Sequence, residues 1–443
     1  MILIKNFLNI FFIPELRKKF LFTLGVFIVY RFGNHIPVVG VNVDALRTLM
    51  AQAKGLGGLF AYLDMFSGGG LREATIFALG IQPYISASIM MQILGMVVPS
   101  LEALVKEGEY GRKIVNQYTR YLTFFVAIVQ SVGLAFLLEN RGLVLEPGWS
   151  FRIMCVLSLT VGAMFVMWLG EQISIFGLGN GSSMIIFAGT VAHFMDYGIK
   201  TIGQVLEGIT HPATAVFIIA VYIAITACIV FLERGERKIP VQYTRRVVGN
   251  RVYGGQSTYI PFKINTSGVM PVILAGTMLN MPIFLLSMLA ERFDMFKWIS
   301  EAMNPMGLLF NVIQFVLIIA FSYLWTALQF NPVELADNIK KSGGFIPGIR
   351  PGKSTAEFFD YILNRIGLVG AVYLGILASL PIVLNLFVER VLMDKMPFYL
   401  GGTALLIVVG VALEAAAQIE AYLIENRYEG FLSSGRLQSR LRR

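Results

Sequence analysis

Long apolar runs alternate with short charged segments along almost the whole chain. A helix needs about 20 apolar residues to cross a hydrocarbon core of about 30 Å. Runs near this length predict ten transmembrane helices near residues 20–36, 74–98, 119–138, 152–170, 182–199, 213–232, 268–290, 307–330, 366–388 and 399–423. An even number of spans places both termini on one side of the membrane. It also permits two halves of five spans, of which the second runs through the bilayer in the opposite sense.

The stretch from Tyr62 to Met91 departs from this pattern. Its first part is weakly apolar, too short to cross a bilayer, and interrupted by glycine at residues 68–70. A long apolar helix is predicted to follow, with Ile81, Ile85 and Ile89 on one face because they are four residues apart. Irregular backbone at membrane depth must be shielded by protein or line a cavity. The glycine-rich part is therefore either a segment inside a cavity or an ordinary external loop, and the spacing allows both.

Composition places these helices in a membrane. The 443 residues are 56% hydrophobic with a mean hydropathy of +0.70, and 14% are charged, against about 25% in soluble domains. Pro14 and Glu15 break the N-terminal apolar stretch, so we expect no cleavable export signal. With the N-terminus inside, the inner segments hold 25 of the 36 lysines and arginines. The positive-inside rule then predicts cytoplasmic termini.

The predicted spans contain few ionisable or catalytic side chains. The membrane interiors of spans 2, 3, 4, 6, 7, 8 and 9 contain no charged side chain. Glu171 lies at the end of span 4, and Arg31, Asp196 and Glu414 lie towards the ends of spans 1, 5 and 10. Each of the four is expected to be an interface-anchored or paired group. An ion-coupled pump needs ionisable groups at membrane depth, where each costs at least about 2.5 kcal/mol. An intramembrane protease needs a Ser/His pair, paired aspartates or zinc ligands. Both classes are disfavoured, and the sequence contains no nucleotide-binding or metal-binding motif.

Small polar residues occupy three of the spans instead. Ser86 lies in span 2, Gln130 in span 3 and Asn280 in span 7. Such groups are expected to face neighbouring helices rather than lipid, and each interhelical hydrogen bond contributes only about 0.6–2 kcal/mol. A seam held by such weak contacts can open.

Two inner loops are long enough to suggest a function. The loop Glu233–Ser267 interleaves basic residues with Val and Tyr and contains the pair Gly254 and Gly255, which is typical of a hairpin-like finger. The loop Asn331–Arg365 is rich in Pro and Gly and is predicted to be irregular and stiff. Their charge either serves docking or only fixes the topology.

Eight segments carry a more specific signal. They are MFSGG at 65–69, IFALGIQPYISASI at 76–89, EGEYGRK at 107–113, QYTRY at 117–121, GLGNGSSMIIFAG at 177–189, RRVVGNRVYGGQSTYIPFKIN at 245–265, NPVELADNIKKSGGFIPGIRPG at 331–352 and FYLGGTALLIVVGVAL at 398–413. In these segments, their order and their spacing, the chain resembles the bacterial SecY family, whose members form the pore of the general protein-translocation channel. The resemblance covers nearly the whole sequence.

The resemblance implies an all-α polytopic membrane protein. Its ten transmembrane helices would form two inverted pseudo-symmetric halves of five around a central pore. The implied divisions are a cytoplasmic amphipathic segment at 1–19, an N-terminal half at 20–200 with a plug at 62–73, a C-terminal half at 201–423 with cytoplasmic loops at 233–267 and 331–365, and a cytoplasmic tail at 424–443.

The resemblance also implies roles for individual residues. The pore ring would be Ile81, Ile85, Ile186, Ile273 and Ile407, and the plug Tyr62, Leu63, Asp64, Met65, Phe66, Ser67, Gly68, Gly69, Gly70 and Leu71. The lateral gate, spans 2 and 3 against spans 7 and 8, would carry Ser86, Gln130 and Asn280, and motor or ribosome docking would use Arg245, Arg246, Arg251 and Arg350. Ser182 and Asn250 depart from the family, which often has isoleucine and a second basic residue there.

The function implied is that of a protein-conducting channel in the cytoplasmic membrane. It would conduct unfolded secretory polypeptides and release transmembrane segments sideways into lipid. The implied partners are the SecE and SecG subunits, the SecA ATPase, a translating ribosome with its ribosomal RNA, and preproteins with their signal sequences. No cofactor and no enzymatic activity are expected. The alternatives are a secondary carrier for a small molecule and an insertase-like scaffold without a through-pore.

Overall fold

The structure is a computed structural model that describes residues 13–50, 64, 67–208, 211–243, 246–248, 251–253, 257–290, 303, 307–391 and 402–440. The chain divides into two compact units. The first contains Met1–Lys200, Pro282–Pro305 and Val411–Arg443, and the second contains Thr201–Met281 and Met306–Gly410.

The helices that begin in the first unit follow the apolar runs of the N-terminal part of the chain. They are α1 (Pro14–Gly33), α2 (Val43–Met50), α3 (Gln82–Val97), α4 (Pro99–Lys106), α5 (Glu109–Asn140), α6 (Trp149–Phe176) and α7 (Gly181–Leu206). Pro14 begins α1, Glu15 lies in its first turn and Arg31 in its last, in agreement with the helix dipole. A bend of 100° separates α3 from α4 at Val98, because the residue before Pro99 is disfavoured in the α conformation.

The second unit contains both long inner loops. Its elements are α8 (Pro212–Arg234), β1 (Glu236–Tyr243), β2 (Arg246–Val248), β3 (Arg251–Tyr253), β4 (Ser257–Lys263), α9 (Met270–Ala290), α10 (Leu308–Gln329), α11 (Pro332–Lys341), β5 (Gly344–Phe345), α12 (Lys353–Val391) and α13 (Gly402–Arg440). Helices α9 and α13 extend into ranges assigned to the first unit.

The two inner loops meet in one antiparallel sheet of order β4-β1-β5. Strand β1 pairs with β4 from Glu236↔Lys263 to Gln242↔Ser257, and β5 joins it at Gln242↔Phe345 and Tyr243↔Gly344. Strands β2 and β3 form a separate hairpin, as the finger-like sequence predicts. Ile239, Val241, Phe262 and Ile346 pack beneath the sheet on Phe359 of α12. The loops at 233–267 and 331–365 are therefore parts of one packed body.

The predicted spans correspond one to one with α1, α3, α5–α10, α12 and α13, and the architecture is that of an all-α polytopic membrane protein. Among the described residues, six helices are long and apolar enough to cross a membrane, or seven if the bent pair α3 and α4 counts as one span. The inverted relation between the two halves stays a prediction.

Span 2 begins later than predicted. A helix is expected from residue 74, but residues 68–81 are mostly turns and α3 starts at Gln82. Ala74 and Gly80 have positive φ angles of 45° and 56°, and the backbone N–H of Ile76 donates to the carbonyl of Ile36 at 3.0 Å. Long-range pairing has therefore replaced the helical hydrogen bonds of this segment.

The second inner loop is less irregular than predicted. The loop predicted to be irregular from Asn331 to Arg365 contains α11, because the Asn331 side chain accepts from the N–H groups of Val333 and Glu334, and Pro332 fits the first helical turn. Only residues 342–352 between α11 and α12 are largely irregular. In the predicted tail 424–443, helix α13 continues to Arg440.

Candidate functional site

The predicted ring residues of the first unit lie at the start of α3 and in α7. Ile81 and Ile186 are each 2% exposed, whereas Ile85 is half-buried. Ile81 precedes α3 rather than lying in it, but the N–H of Ile85 donates to its carbonyl at 3.1 Å. The two isoleucines therefore keep the spacing of one helical turn. A Cβ at Gly170 of α6 would lie 3.2 Å from Cδ1 of Ile81, so this glycine makes room for that side chain.

The predicted ring residues of the second unit are buried as well. Ile273 of α9 is 5% exposed and Ile407 of α13 is 1% exposed. Gly410 of α13 allows Val269, just before α9, to pack directly on the α13 backbone. Convergence of all five isoleucines at one depth stays a prediction.

Ser182 has a structural role in place of the isoleucine common in the family. Its hydroxyl donates to Oδ1 of Asn180 at 2.7 Å, and its backbone N–H donates to the same oxygen at 3.1 Å. Asn180 thus caps the first turn of α7 through Ser182. This position therefore contributes a polar turn and no apolar side chain.

The predicted plug is attached to the end of α1. The carbonyl of Ser67 accepts from the Tyr30 hydroxyl at 2.9 Å and from Nδ2 of Asn34 at 3.2 Å. The carbonyl of Gly68 accepts from Nη1 of Arg31 at 3.1 Å. Tyr62, Leu63, Met65 and Phe66 lie outside the described residues.

The plug glycines allow the segment to lie directly against its neighbours. Gly68 has a φ of 69°, and a Cβ there would lie 2.6 Å from the Cα of Gly189 in α7. A Cβ at Gly70 would lie 3.0 Å from Oδ1 of Asn34. Leu71, which follows, is buried with Leu134 of α5 in the core of the first unit. The plug segment is therefore packed between α1, α7 and this core.

Asp64 organises the plug from within. Its side chain is buried, and Oδ1 accepts from the hydroxyl of Ser67 at 3.2 Å and from the backbone N–H of Arg72 at 2.9 Å. Burial raises the pKa of this carboxyl to about 6, although the hydrogen bonds and the charge of Arg72 act in the opposite direction. The plug therefore contains an acid that titrates near neutrality.

The predicted gate residues are only partly placed. Ser86 of α3 and Gln130 of α5 are half-buried, and α3 packs against α5. The side chain of Asn280 lies outside the described residues. A polar contact that sequence reasoning missed joins α5 to α6, where the hydroxyls of Ser131 and Thr160 are 3.3 Å apart. The sequence feature that could have indicated this contact is a small polar residue, Ser131 or Thr160, on each of two apolar helices.

Of the predicted docking residues, Arg350 lies on the body formed by the two inner loops. Arg350 is exposed, its carbonyl accepts from the hydroxyl of Thr355 at 2.9 Å, and Gly348 and Gly352 have φ angles of 84° and 109°. These contacts shape a tight turn that presents the guanidinium to solvent. Arg246 and Arg251 lie in the β2–β3 hairpin with side chains outside the described residues, and Arg245 lies wholly outside them.

Tyr30, Arg31 and Asn34 are the most informative residues that the sequence did not assign to the site. Arg31 contacts Asp196 at 3.4 Å and Glu171 contacts Arg120 at 2.8 Å, which agrees with their interpretation as interface-anchored or paired groups. The further contact of Arg31 with the plug could not be predicted, because it depends on a carbonyl 37 residues away. The sequence feature that could have drawn attention to this contact is an arginine near the end of a span.

Sequence comparison places the chain among known proteins. A model of the SecY family matches residues 75–416. The protein translocase subunit SecY of Aquifex aeolicus is 45% identical over 430 residues, which cover 96% of this chain and 98% of that protein. The corresponding subunit of Thermus thermophilus is 42% identical over 446 residues, with 99% and 100% covered.

Comparison with solved structures gives the same fold. A structure described as that of a protein conducting channel has a TM-score of 0.67 and 18% identity, and covers 91% of this chain and 92% of its own. Sec61 in the canine ribosome-channel complex has a TM-score of 0.63 and 17% identity, with the same coverage. A third, on the plug domain of SecY as a stabiliser of the closed channel, has a TM-score of 0.62 and 17% identity with the same coverage.

Proposed function

The chain belongs to the SecY family, and from this membership we propose that it is the channel subunit of a secretory protein translocase. It conducts unfolded polypeptides across the cytoplasmic membrane and releases transmembrane segments sideways into lipid. The observation that carries the proposal is the attached plug segment. Two consecutive carbonyls of a glycine-rich stretch, Ser67 and Gly68, are held by α1 inside a multi-pass membrane protein, where an ordinary external loop would need no such attachment.

The ring and the plug seal the resting channel in different ways. Branched apolar side chains at Ile81, Ile85, Ile186, Ile273 and Ile407 surround a translocating strand of any sequence. When the strand is absent, a constriction of this kind loses its water and blocks ions. The plug closes the outer side of the same path. A ring of charged side chains would instead select among ions, which a general protein channel must avoid.

Partitioning explains the sideways release of transmembrane segments. About 20 apolar residues at roughly −0.3 to −0.6 kcal/mol each favour lipid over the channel by about 6–12 kcal/mol. One charged residue costs about 3 kcal/mol and does not reverse this preference. The gate at Ser86, Gln130 and Asn280 therefore needs only to open, because the hydropathy of the substrate decides where it goes.

The cytoplasmic loops supply the docking surface, and partners supply the energy. Arg350 is exposed on the same packed body as the β1–β4 sheet, and its guanidinium suits bidentate pairing with carboxylate or phosphate. Arg245, Arg246 and Arg251 would contact a motor or ribosomal RNA, a salt-sensitive interaction. The SecA ATPase or a translating ribosome drives transport, SecE clamps the two halves and SecG accompanies them. Both termini face the cytoplasm, where the basic residues concentrate.

The channel proposal is tested by opening the ring. The purified protein, reconstituted with SecE in planar bilayers, is compared with variants in which Ile81, Ile85 and Ile407 are replaced by Gly. The proposal expects ion leakage, since smaller side chains leave a wetted constriction. A small-molecule carrier would lose uptake without leaking. Protease protection of a radiolabelled precursor, driven by SecA, provides the second measurement. Export that survives both the ring changes and deletion of residues 62–71 would favour a scaffold instead.

A further inference from the structure

Three side chains at one end of α1 converge on two consecutive plug carbonyls. Tyr30 and Asn34 are one turn apart, so they lie on the same face of the helix, and both donate to the carbonyl of Ser67. Tyr30 is 1% exposed, Asn34 3% and Ser67 2%. These hydrogen bonds are thus shielded from water, where loss of a donor is most costly.

Arg31 joins the plug to a second helix. One guanidinium nitrogen, Nη1, donates to the carbonyl of Gly68 at 3.1 Å, while Nη2 lies 3.4 Å from Oδ2 of Asp196 in α7. The plug also touches α7 directly, because Gly68 packs on Gly189. The plug is therefore held between α1 and α7, and the hydroxyl of Tyr30 lies where the three meet, 3.3 Å from the Cβ position of either glycine.

We infer that Tyr30, Arg31 and Asn34 form a latch that sets how often the plug leaves its closed position. This inference rests on the proposed channel function. The latch residues are positioning residues: they touch the plug and bind no substrate. The donors hold backbone carbonyls, so closure depends on the path of the plug backbone rather than on the side chain of Ser67. Opening must break all three hydrogen bonds.

The arrangement predicts a specific non-additivity. In Tyr30→Phe the ring keeps its stacking on Phe77, at 6.0 Å between centroids, while Asn34 still satisfies the Ser67 carbonyl. In Asn34→Leu, a change of similar shape, Tyr30 still satisfies it. Each single variant should increase the resting leak current about fivefold, the effect of one hydrogen bond. In the double variant the leak current should increase by more than the product of the two single increases, because the buried Ser67 carbonyl then loses both the Tyr30 and the Asn34 donor.

Arg31 distinguishes a latch from an ordinary ion pair. Arg31→Met removes both contacts and should raise the leak about tenfold, the effect of a hydrogen bond to a charged group. Arg31→Lys keeps one donor, so its leak current should lie between that of Arg31→Met and that of the wild type. Exchanging the partners, Arg31→Asp with Asp196→Arg, restores the ion pair without a donor to Gly68. A latch predicts that the exchange variant still leaks, and a purely structural ion pair predicts that it seals.

The experiment measures resting current in planar bilayers for variants that copurify with SecE. Ile407→Gly is the positive control for conduction. Thr23→Val is the matched control, because Thr23 is a buried, hydrogen-bonded hydroxyl of α1 whose partners are Lys19 and Leu178. The latch is overturned if Ile407→Gly conducts while the Tyr30, Asn34 and Arg31 variants show no increase in resting current. It is also overturned if the resting current of Thr23→Val increases as much as theirs. If Ile407→Gly also fails to conduct, the channel proposal itself falls. Should the double variant not assemble, the Arg31 series carries the test.

Discussion

The close approach of Gly68 to Gly189 gives the sharpest test of the plug geometry. Gly68→Ala introduces a Cβ 2.6 Å from the Cα of Gly189, where about 3.5–4.0 Å is comfortable. The α7 backbone cannot yield easily, so the plug must retreat by about 1 Å. The Tyr30 hydroxyl would then lie well beyond its present 2.9 Å from the Ser67 carbonyl, outside the range of a hydrogen bond.

Gly69→Ala is the matched control. Gly69 also has a positive φ, 91° against 69° for Gly68, but a Cβ there meets nothing within 4 Å. Both alanines carry the strain of the left-handed region, roughly 1–2 kcal/mol. Only Gly68→Ala adds the loss of two or three hydrogen bonds at about 1 kcal/mol each. Relative to Gly69→Ala, we therefore expect the closed state to be weakened by about 2–3 kcal/mol, or roughly 30- to 150-fold in the open fraction.

Single-channel recording in planar bilayers without substrate measures this open fraction. The expected order is wild type, then Gly69→Ala, then Gly68→Ala, with the larger step between the two variants. Equal open fractions in the two alanine variants would refute the reasoning, because the steric contact with α7 would then contribute nothing to closure. Reversal of the order would show that backbone strain alone controls the plug.

Two other perturbations test charge. Burial raises the pKa of Asp64 from 3.8 to about 6 in the closed plug, so closure is strongest at low pH and weakens as the pH rises to about 6. The leak current of the wild type should therefore rise roughly tenfold between pH 5 and pH 7. The Asp64→Asn variant should leak equally at both pH values, whereas Asp44→Asn, which changes an exposed side chain, should respond to pH as the wild type does. Arg350→Glu should abolish SecA-driven export in the protease-protection assay, while Lys353→Glu, an exposed charge reversal nearby, should not; normal export by Arg350→Glu would remove its docking role.

Local sequence was sufficient to predict the long apolar helices and their order. Apolar runs determine where α5, α6, α8, α10, α12 and α13 lie, because burying backbone polar groups in lipid is tolerable only in a helix. Pro99 ends α3 by a local steric rule, and Asn331 begins α11 as a cap, although the abundance of Pro and Gly concealed α11 in the prediction. The interleaving of basic residues with Val and Tyr likewise predicted a hairpin, which β2 and β3 form.

The tertiary structure alone decided which distant groups meet. Residues 74–81 were apolar enough for a helix, yet their backbone pairs with residues 36–38 and packs on α6, so they form an irregular approach to α3. The latch depends on Tyr30 and Asn34 meeting a backbone carbonyl, and every residue has a carbonyl, so no sequence pattern marks this one as the acceptor. The sheet that unites β1 with β5 joins segments 100 residues apart in the same way. Local periodicity reports which face of a helix is apolar, but only the folded chain determines what that face, or the end of that helix, touches.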